Sequence, residues 1–504
     1  MRGGAWGTLA ALLVGVLCLG PLVPLALRAG DVSLGAADWA ALRFTLLQAA
    51  LSAALSGLLA IPVARALARR SFPGRGALVT LMGAPFILPT IVAVLGLLAV
   101  FGRSGWVNDA LAALGLPRVS IYGLPGVVLA HMVLNLPLAT RLLLAGWLAI
   151  PAERFRVAAT LNAPVGVLLE RPMLRQVLPG TLAAIFALCL TSFSVALILG
   201  GGPAATTVEL GIYQRLRFEA DFAGAATLAL LQYALSGGAA LLAARLALGP
   251  VGGGGLGRRV ERWDASGAVP RALDVLAVGG AALLLLLPLL AVALRGLPGL
   301  AEMPREVAGA VGRSLLVTGG ATAVALLLAL PLALRGGRLA QGAGALPLAA
   351  SPLVLGTGLL LILRPLVPLG TAALPVAALV DGLLALPFAL RALLPAVEDA
   401  RARTGRLADS LGLAGWARLR ISVLPAIRGP LSFAAGLAAA LSAGNLGAVA
   451  LFAGEGQETL PLLMARLMGA YRMEAAAGVG LVTVALALGL FWALDRIGGR
   501  PARA

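Results

Sequence analysis

The chain has 504 residues, of which 60% are hydrophobic and only 12% charged, and its mean hydropathy is +0.99. So little polarity could not cover the surface of a water-soluble protein this long, which excludes that class. The net charge of +18 comes from arginines with no lysine; they are scattered through apolar runs and not gathered on one domain, which argues against nucleic acid as a partner.

In chain order, twelve runs are long and apolar enough to cross a bilayer as helices. They fall near 5–27, 43–64, 77–101, 121–147, 176–200, 222–246, 272–294, 313–334, 343–363, 371–395, 429–454 and 474–495. The first follows Arg2 and ends at Arg28. It is longer than a signal-peptide core and poorly suited to cleavage, so it reads as an uncleaved span, with a cleaved signal as the alternative. Cys18 and Cys189 lie in apolar runs without ligand spacing and read as buried thiols. His131, inside a span, reads as packed or hydrogen-bonded in preference to metal-bound. Arginines between spans favour one face about two to one, which places both termini in the cytoplasm.

The second half of the list repeats the first. Thr45-Leu-Leu, followed by Ile61-Pro62, recurs as Ser314-Leu-Leu, followed by Leu330-Pro331, at equal spacing. PFILPTIVAVLG from Pro85 resembles PLVLGTGLLLIL from Pro352. HMVLNLPLATR, 131–141, matches DGLLALPFALR, 381–391, with Pro137 on Pro387 and Arg141 on Arg391. At the same offset RVAATLNAPVGVLLERPMLR, 156–175, matches RLADSLGLAGWARLRISVLP, 406–425. Thr207 and Thr459 then hold similar places after spans five and eleven. The expected fold is therefore an all-α polytopic membrane protein of two parallel six-helix repeats, 1–247 and 272–504, with a path between them and an arginine- and glycine-rich cytoplasmic linker at 248–271.

The two charged segments have roughly helical apolar spacing and sit on one expected face, which makes them a paired docking surface; an ordinary interfacial helix is the simpler alternative. No nucleotide-binding loop is present, because that loop needs a lysine. No catalytic triad, carboxylate pair with supporting context or metal-ligand set stands out, so the chain reads as no enzyme, without a cofactor or metal of its own. Energy for active transport would come from a separate subunit or an ion gradient. Asp381 is placed inside the bundle, where an ionised group is costly unless hydrated or paired.

The paired segments resemble the EAA loops of binding-protein-dependent ABC importer permeases. The second places Arg406, Leu407 and Ala408 at E-A-A, Gly412 at the glycine, and Leu424-Pro425 at the closing Leu-Pro. The first places Arg156, Val157 and Ala158 there, Asn162 at the glycine, and Leu174-Arg175 at Leu-Pro; both glutamates are absent. A closer resemblance, over essentially the whole chain, is to the fused two-half permeases of thiamine importers. It rests on LGGGPAATTVELGIYQ, 199–214, with GNLGAVALF, 444–452, and TLPLLMARLMGAYRMEAAA, 459–477.

The resemblance implies the type I ABC importer permease fold in a bacterial inner membrane. It implies inward transport of thiamine, with thiamine phosphates as further candidate cargo. The implied partners are membrane lipid, two copies of a cytoplasmic ATPase that binds the ATP and Mg, and a periplasmic thiamine-binding protein. In the outer motif, Gly200, Gly201, Gly202, Pro203, Thr206, Thr207, Glu209 and Tyr213 carry the likeness, and Thr206, Thr207, Glu209 and Tyr213 are surface candidates for the binding protein. Glu209 would pair with a local arginine in preference to facing cationic cargo. No substrate contact is assigned. The alternatives are a same-fold permease for ferric iron or another small solute, an ion-driven secondary transporter, and a non-transporting membrane scaffold.

Overall fold

A computed structural model describes residues 2–29, 33–83, 88–246, 263–265, 267–454 and 456–499. Every regular element among them is helical, since a segment inside hydrocarbon must satisfy its own backbone hydrogen bonds. The first half contains α1 (Arg2–Leu19), α2 (Leu22–Ala29), α3 (Ala36–Arg69), α4 (Arg75–Leu81), α5 (Thr90–Phe101), α6 (Trp106–Ala113), α7 (Leu124–Ala149), α8 (Ala152–Thr160), α9 (Arg171–Leu190), α10 (Phe193–Leu199), α11 (Val208–Gln214) and α12 (Phe222–Leu246). The second contains α13 (Ala268–Gly299), α14 (Val307–Arg335), α15 (Gly337–Ala345), α16 (Pro352–Leu363), α17 (Leu369–Ser410), α18 (Gly415–Arg418), α19 (Leu424–Ala443), α20 (Gly447–Phe452), α21 (Leu460–Gly469) and α22 (Met473–Ile497). Most of the expected 248–271 linker, including its glycine run, lies outside the described residues, as does the Pro85 end of one repeat match.

Eleven described helices are long and apolar enough to cross a membrane. The expected span 343–363 is instead two helical pieces, Gly337–Leu348 and Pro352–Leu363, that meet at 87°. Counting that pair as one span restores twelve. The corner forms because Ser351 caps the second piece, its Oγ accepting the Val354 N–H at 3.0 Å, with Pro352 at the first turn. Runs 176–200 and 429–454 are likewise broken, at Thr191–Ser192 and at Gly444–Leu446.

The two halves are built alike and interlock. In each, the long second helix packs on the helix that carries the proline–arginine motif and on the one after the charged segment: α3 on α7 and α9, α14 on α17 and α19. The opening helices cross over. α1 lies against α14, and α13 against α5 and α3. Two close approaches pin the crossing. A Cβ on Gly358 of α16 would come 2.4 Å from the Pro21 carbonyl oxygen at the α1–α2 break, and one on Gly96 of α5 would come 2.5 Å from the Pro288 carbonyl oxygen of α13. Each half thus offers a bare glycine to a proline of the other. This contact pairs Gly96 with Gly358 and Thr90 with Pro352. The sequence match of Pro85 to Pro352 is therefore out of register, since similar Leu/Val runs align at several offsets.

A large side chain at either contact should wedge the halves apart. Gly358→Leu is expected to lower the melting temperature of the purified chain by several degrees or abolish its yield. Gly279→Leu, on a helical glycine with open space around it, should leave both near the starting value.

Candidate functional site

At one end of the bundle the charged segments adopt the same local structure. Helix α8 ends at Thr160 with Leu161 as its cap, and Asn162 turns left-handed with φ 47°. Helix α17 ends at Ser410 with Leu411 as its cap, and Gly412 does the same with φ 65°. In each, the next N–H returns to the last turn: Ala163 N–H to Ala158 O at 2.8 Å, Leu413 N–H to Ala408 O at 2.9 Å. Glycine and asparagine are the residues that tolerate this cap, which explains why Asn162 stands in for Gly412. The cap buries Ala158 and Ala408 and exposes Arg156, Val157, Arg406 and Leu407. Val157 with Leu161, and Leu407 with Leu411, form matched exposed apolar pairs one helical turn apart.

Beyond the cap, helix resumes at equivalent positions, Val165 and Gly415, and each copy then makes a wide π-type turn, Gly166–Glu170 in the first and, three positions further along, Leu419–Val423 in the second. Helices α9 and α19 follow, each with proline in its first turn. Met173, Leu174 and Arg175 show the same burial as Val423, Leu424 and Pro425 (buried, half-buried, exposed), so the offset of 250 carries through to the closing dipeptides Leu174-Arg175 and Leu424-Pro425.

The two copies are held differently. Under the first, Glu170 is buried and accepts from Arg65 at 2.7 Å, Arg69 at 3.3 Å and Trp147 Nε1 at 3.3 Å. Arg69 also meets Asp264 at 2.7 Å, and its guanidinium lies over the rings of Phe155 and Trp263. The second copy has the more exposed pair Arg418–Asp409 at 2.7 Å and a Thr404–Ser422 hydroxyl contact at 2.8 Å. Sequence reading missed Glu170. Its signal was an acidic residue in a segment otherwise rich in arginine.

At the opposite end, the hydroxyls of Thr45 and Ser314 accept the first N–H groups of α11 and α21, Val208 and Leu460, each at 2.9 Å. Thr207, whose Oγ1 accepts the Leu210 N–H at 3.2 Å, and Thr459 are the preceding residues. The sequence pairs Thr45/Ser314 and Thr207/Thr459 thus meet in one repeated contact. Gly201 and Gly202 are exposed here and take positive φ. Thr206 and Tyr213 are half-buried.

The surface reading of Thr207 and Glu209 does not hold: they are 2% and 0% exposed. α11 lies outside the spans but packs flat on α12, which turns Glu209 inward. Glu209 has no arginine partner, and neither carboxylate oxygen has a hydrogen bond. Burial pushes its pKa up to about 8, against a smaller downward pull from Ser351 and Gln232. Arg215, two turns on, pairs with Asp38 at 2.6 Å.

Between the halves lies a cavity of about 320 Å³. Both halves line it, with His131, Asn135 and Phe193 from the first and Asp381, Phe388 and Asn445 from the second. Asp381 accepts from Ser442 Oγ at 2.8 Å and Asn445 Nδ2 at 2.6 Å. His131 is buried beside Ser52 Oγ at 3.4 Å. Cys189 accepts from Asn135 Nδ2 at 3.4 Å, and both cysteines are free and buried.

No family model matches the chain. It is 38% identical to the thiamine transport system permease protein of Brucella abortus (strain 2308) over an alignment of 515 residues, which covers 97% of this chain and 94% of that protein. It is 39% identical to the protein of the same name from Escherichia coli (strain K12) over 484 residues, 92% and 89% of the two chains. A more distant likeness, 27% over 199 residues, is to a sulfate transport system permease protein of Synechocystis and covers 38% of this chain.

The unequal anchoring of the two loops has a measurable consequence. Glu170→Ala removes the buried carboxylate that Arg65, Arg69 and Trp147 share, leaving the two arginines only Asp264, and should cost about 3 kcal/mol of stability, as for a broken buried ion pair. Asp409→Ala, at an exposed pair, should cost less than about 1 kcal/mol. Denaturant titration of the purified variants would compare them.

Proposed function

The chain belongs to the family of thiamine transport system permeases, and from that premise we propose that it is the membrane-spanning part of an ATP-driven importer of thiamine. Membership rests on identity along almost the entire chain. In this reading the protein lies in the bacterial inner membrane with both termini in the cytoplasm. The end that carries the capped loops faces the cytoplasm, and the end that carries 200–207 and 453–459 faces a thiamine-loaded periplasmic binding protein.

Two copies of a separate ATPase, which bind ATP and Mg, engage the two loops. The observation that carries this step is the matched pair of exposed apolar residues, Val157/Leu161 and Leu407/Leu411, presented on identically capped helices. Isolated apolar side chains are common on protein surfaces. Two equal sets at pseudo-equivalent positions, ringed by arginines, suit two equal grooves with acidic rims. Closure of the ATPases would push on α8 and the end of α17 and, through their neighbours α3 and α14, change which side the central cavity faces. Coupling requires that the ATPase bind one arrangement more tightly than the other.

The first test is uptake. The chain, reconstituted in vesicles with a candidate ATPase and binding protein, is expected to accumulate thiamine only with ATP and only with the ATPase present. Iron uptake without thiamine uptake would overturn the cargo, and uptake without the ATPase would overturn the energy source. A second test addresses docking. Leu161→Asp and Leu411→Asp should each reduce capture of the ATPase at least tenfold while the chain still inserts and purifies normally. Undiminished capture by both would exclude the capped loops as the contact.

A further inference from the structure

The central cavity has an acidic side chain in its wall. Among its described lining residues Asp381 is the only carboxylate, and no arginine is included. Asp381 begins the matched motif of α17, about twelve residues and thus roughly 18 Å below the start of that helix. This is deep within a hydrocarbon layer about 30 Å thick. Its two holders, Ser442 and Asn445, are neutral donors. They fix the position of the carboxylate without cancelling its charge, and an uncompensated acid at this depth is costly to keep unless it acts on something that enters.

The pseudo-equivalent residue in the first half is His131, also at the head of its motif and also in the cavity wall, with its ring Nε2 unbonded. The holders have counterparts too. Counted from the ends of α9 and α19, at Leu190 and Ala443, Cys189 stands where Ser442 does and Ser192 where Asn445 does. The first half is thus equipped with a weak hydrogen-bonding set and the second with a fixed carboxylate. A symmetric path would need neither difference. Phe388, about two turns along the same face of α17 from Asp381, adds an aromatic ring to the same wall, a surface that suits a flat cation.

We propose that Asp381, positioned by Ser442 and Asn445, is the anchoring site for a flat organic monocation in the central cavity. The inference rests on the importer reading, and a thiazolium ring, which carries a permanent positive charge, is the chemistry it fits.

The test is a charge cycle on the purified full-length chain in nanodiscs, without binding protein. Wild type and Asp381→Asn are titrated with two ligands that differ in charge: uncharged hydroxyethyl-methylthiazole and its N-methylated thiazolium. The expected result is a loss of at least tenfold in affinity for the thiazolium in Asp381→Asn, with the uncharged thiazole changed less than threefold. Asp381→Glu should recover most of the thiazolium affinity. An equal loss for both ligands would make Asp381 merely structural and overturn the proposal, as would no loss for either or no thiazolium binding by wild type. Should Asp381→Asn fail to fold, Ser442→Ala carries the same cycle, with a selective loss of at least threefold expected. The two readings fail separately. A charge-selective result combined with no ATP-dependent thiamine uptake removes the cargo but keeps the cation site; uptake with a flat charge cycle does the reverse.

Discussion

The arrangement depends on how backbone N–H groups are satisfied where helices start inside the protein. α11 and α21 begin beside the long second helices, where exposed N–H groups would be costly. One hydroxyl from each half, Thr45 or Ser314, accepts the first of them at 2.9 Å. This contact fixes the depth of each short helix relative to α3 or α14. Those same long helices run to the opposite end of the bundle, where α3 brings Arg65 and Arg69 under the first loop and α14 brings the Leu334 carbonyl to Arg401. A displacement at one end therefore has a rigid element along which to reach the other.

The crossing of the opening helices adds a second constraint. Because α1 lies on the second half and α13 on the first, neither half can rotate alone. The glycine–proline contacts at 21/358 and 96/288 let the backbones of the two halves approach closely. The central cavity lies between the elements joined in this way. A path bounded by two rigid, interlocked bodies can change which side it faces without unfolding either one.

The loops show how repeat and asymmetry coexist. The exposed apolar pair and the left-handed cap are the same in both copies. What lies beneath is free to differ. The first copy has a buried ion cluster that includes Asp264 from the linker segment, and the second has mainly exposed pairs. The same separation holds in the cavity, where His131 and Asp381 occupy equivalent places with different chemistry.

Much of this was legible in the chain itself. Apolar run length and arginine placement set the helical class and nearly all the spans, because hydrocarbon thickness and backbone hydrogen bonding leave few options. Repeated Thr/Ser, proline and arginine positions in the same order exposed the two halves, because a chance likeness of Leu/Ala runs would not repeat them. Three-dimensional contact decided the rest. It turned Glu209 and Thr207 inward, bent the 337–363 segment through a right angle and assembled Glu170 with Arg65, Arg69 and Asp264. It also set His131 and Asp381 in one cavity. These outcomes depend on which distant surfaces meet, and a Leu/Ala-rich sequence carries little information about that because its faces are nearly interchangeable until packed.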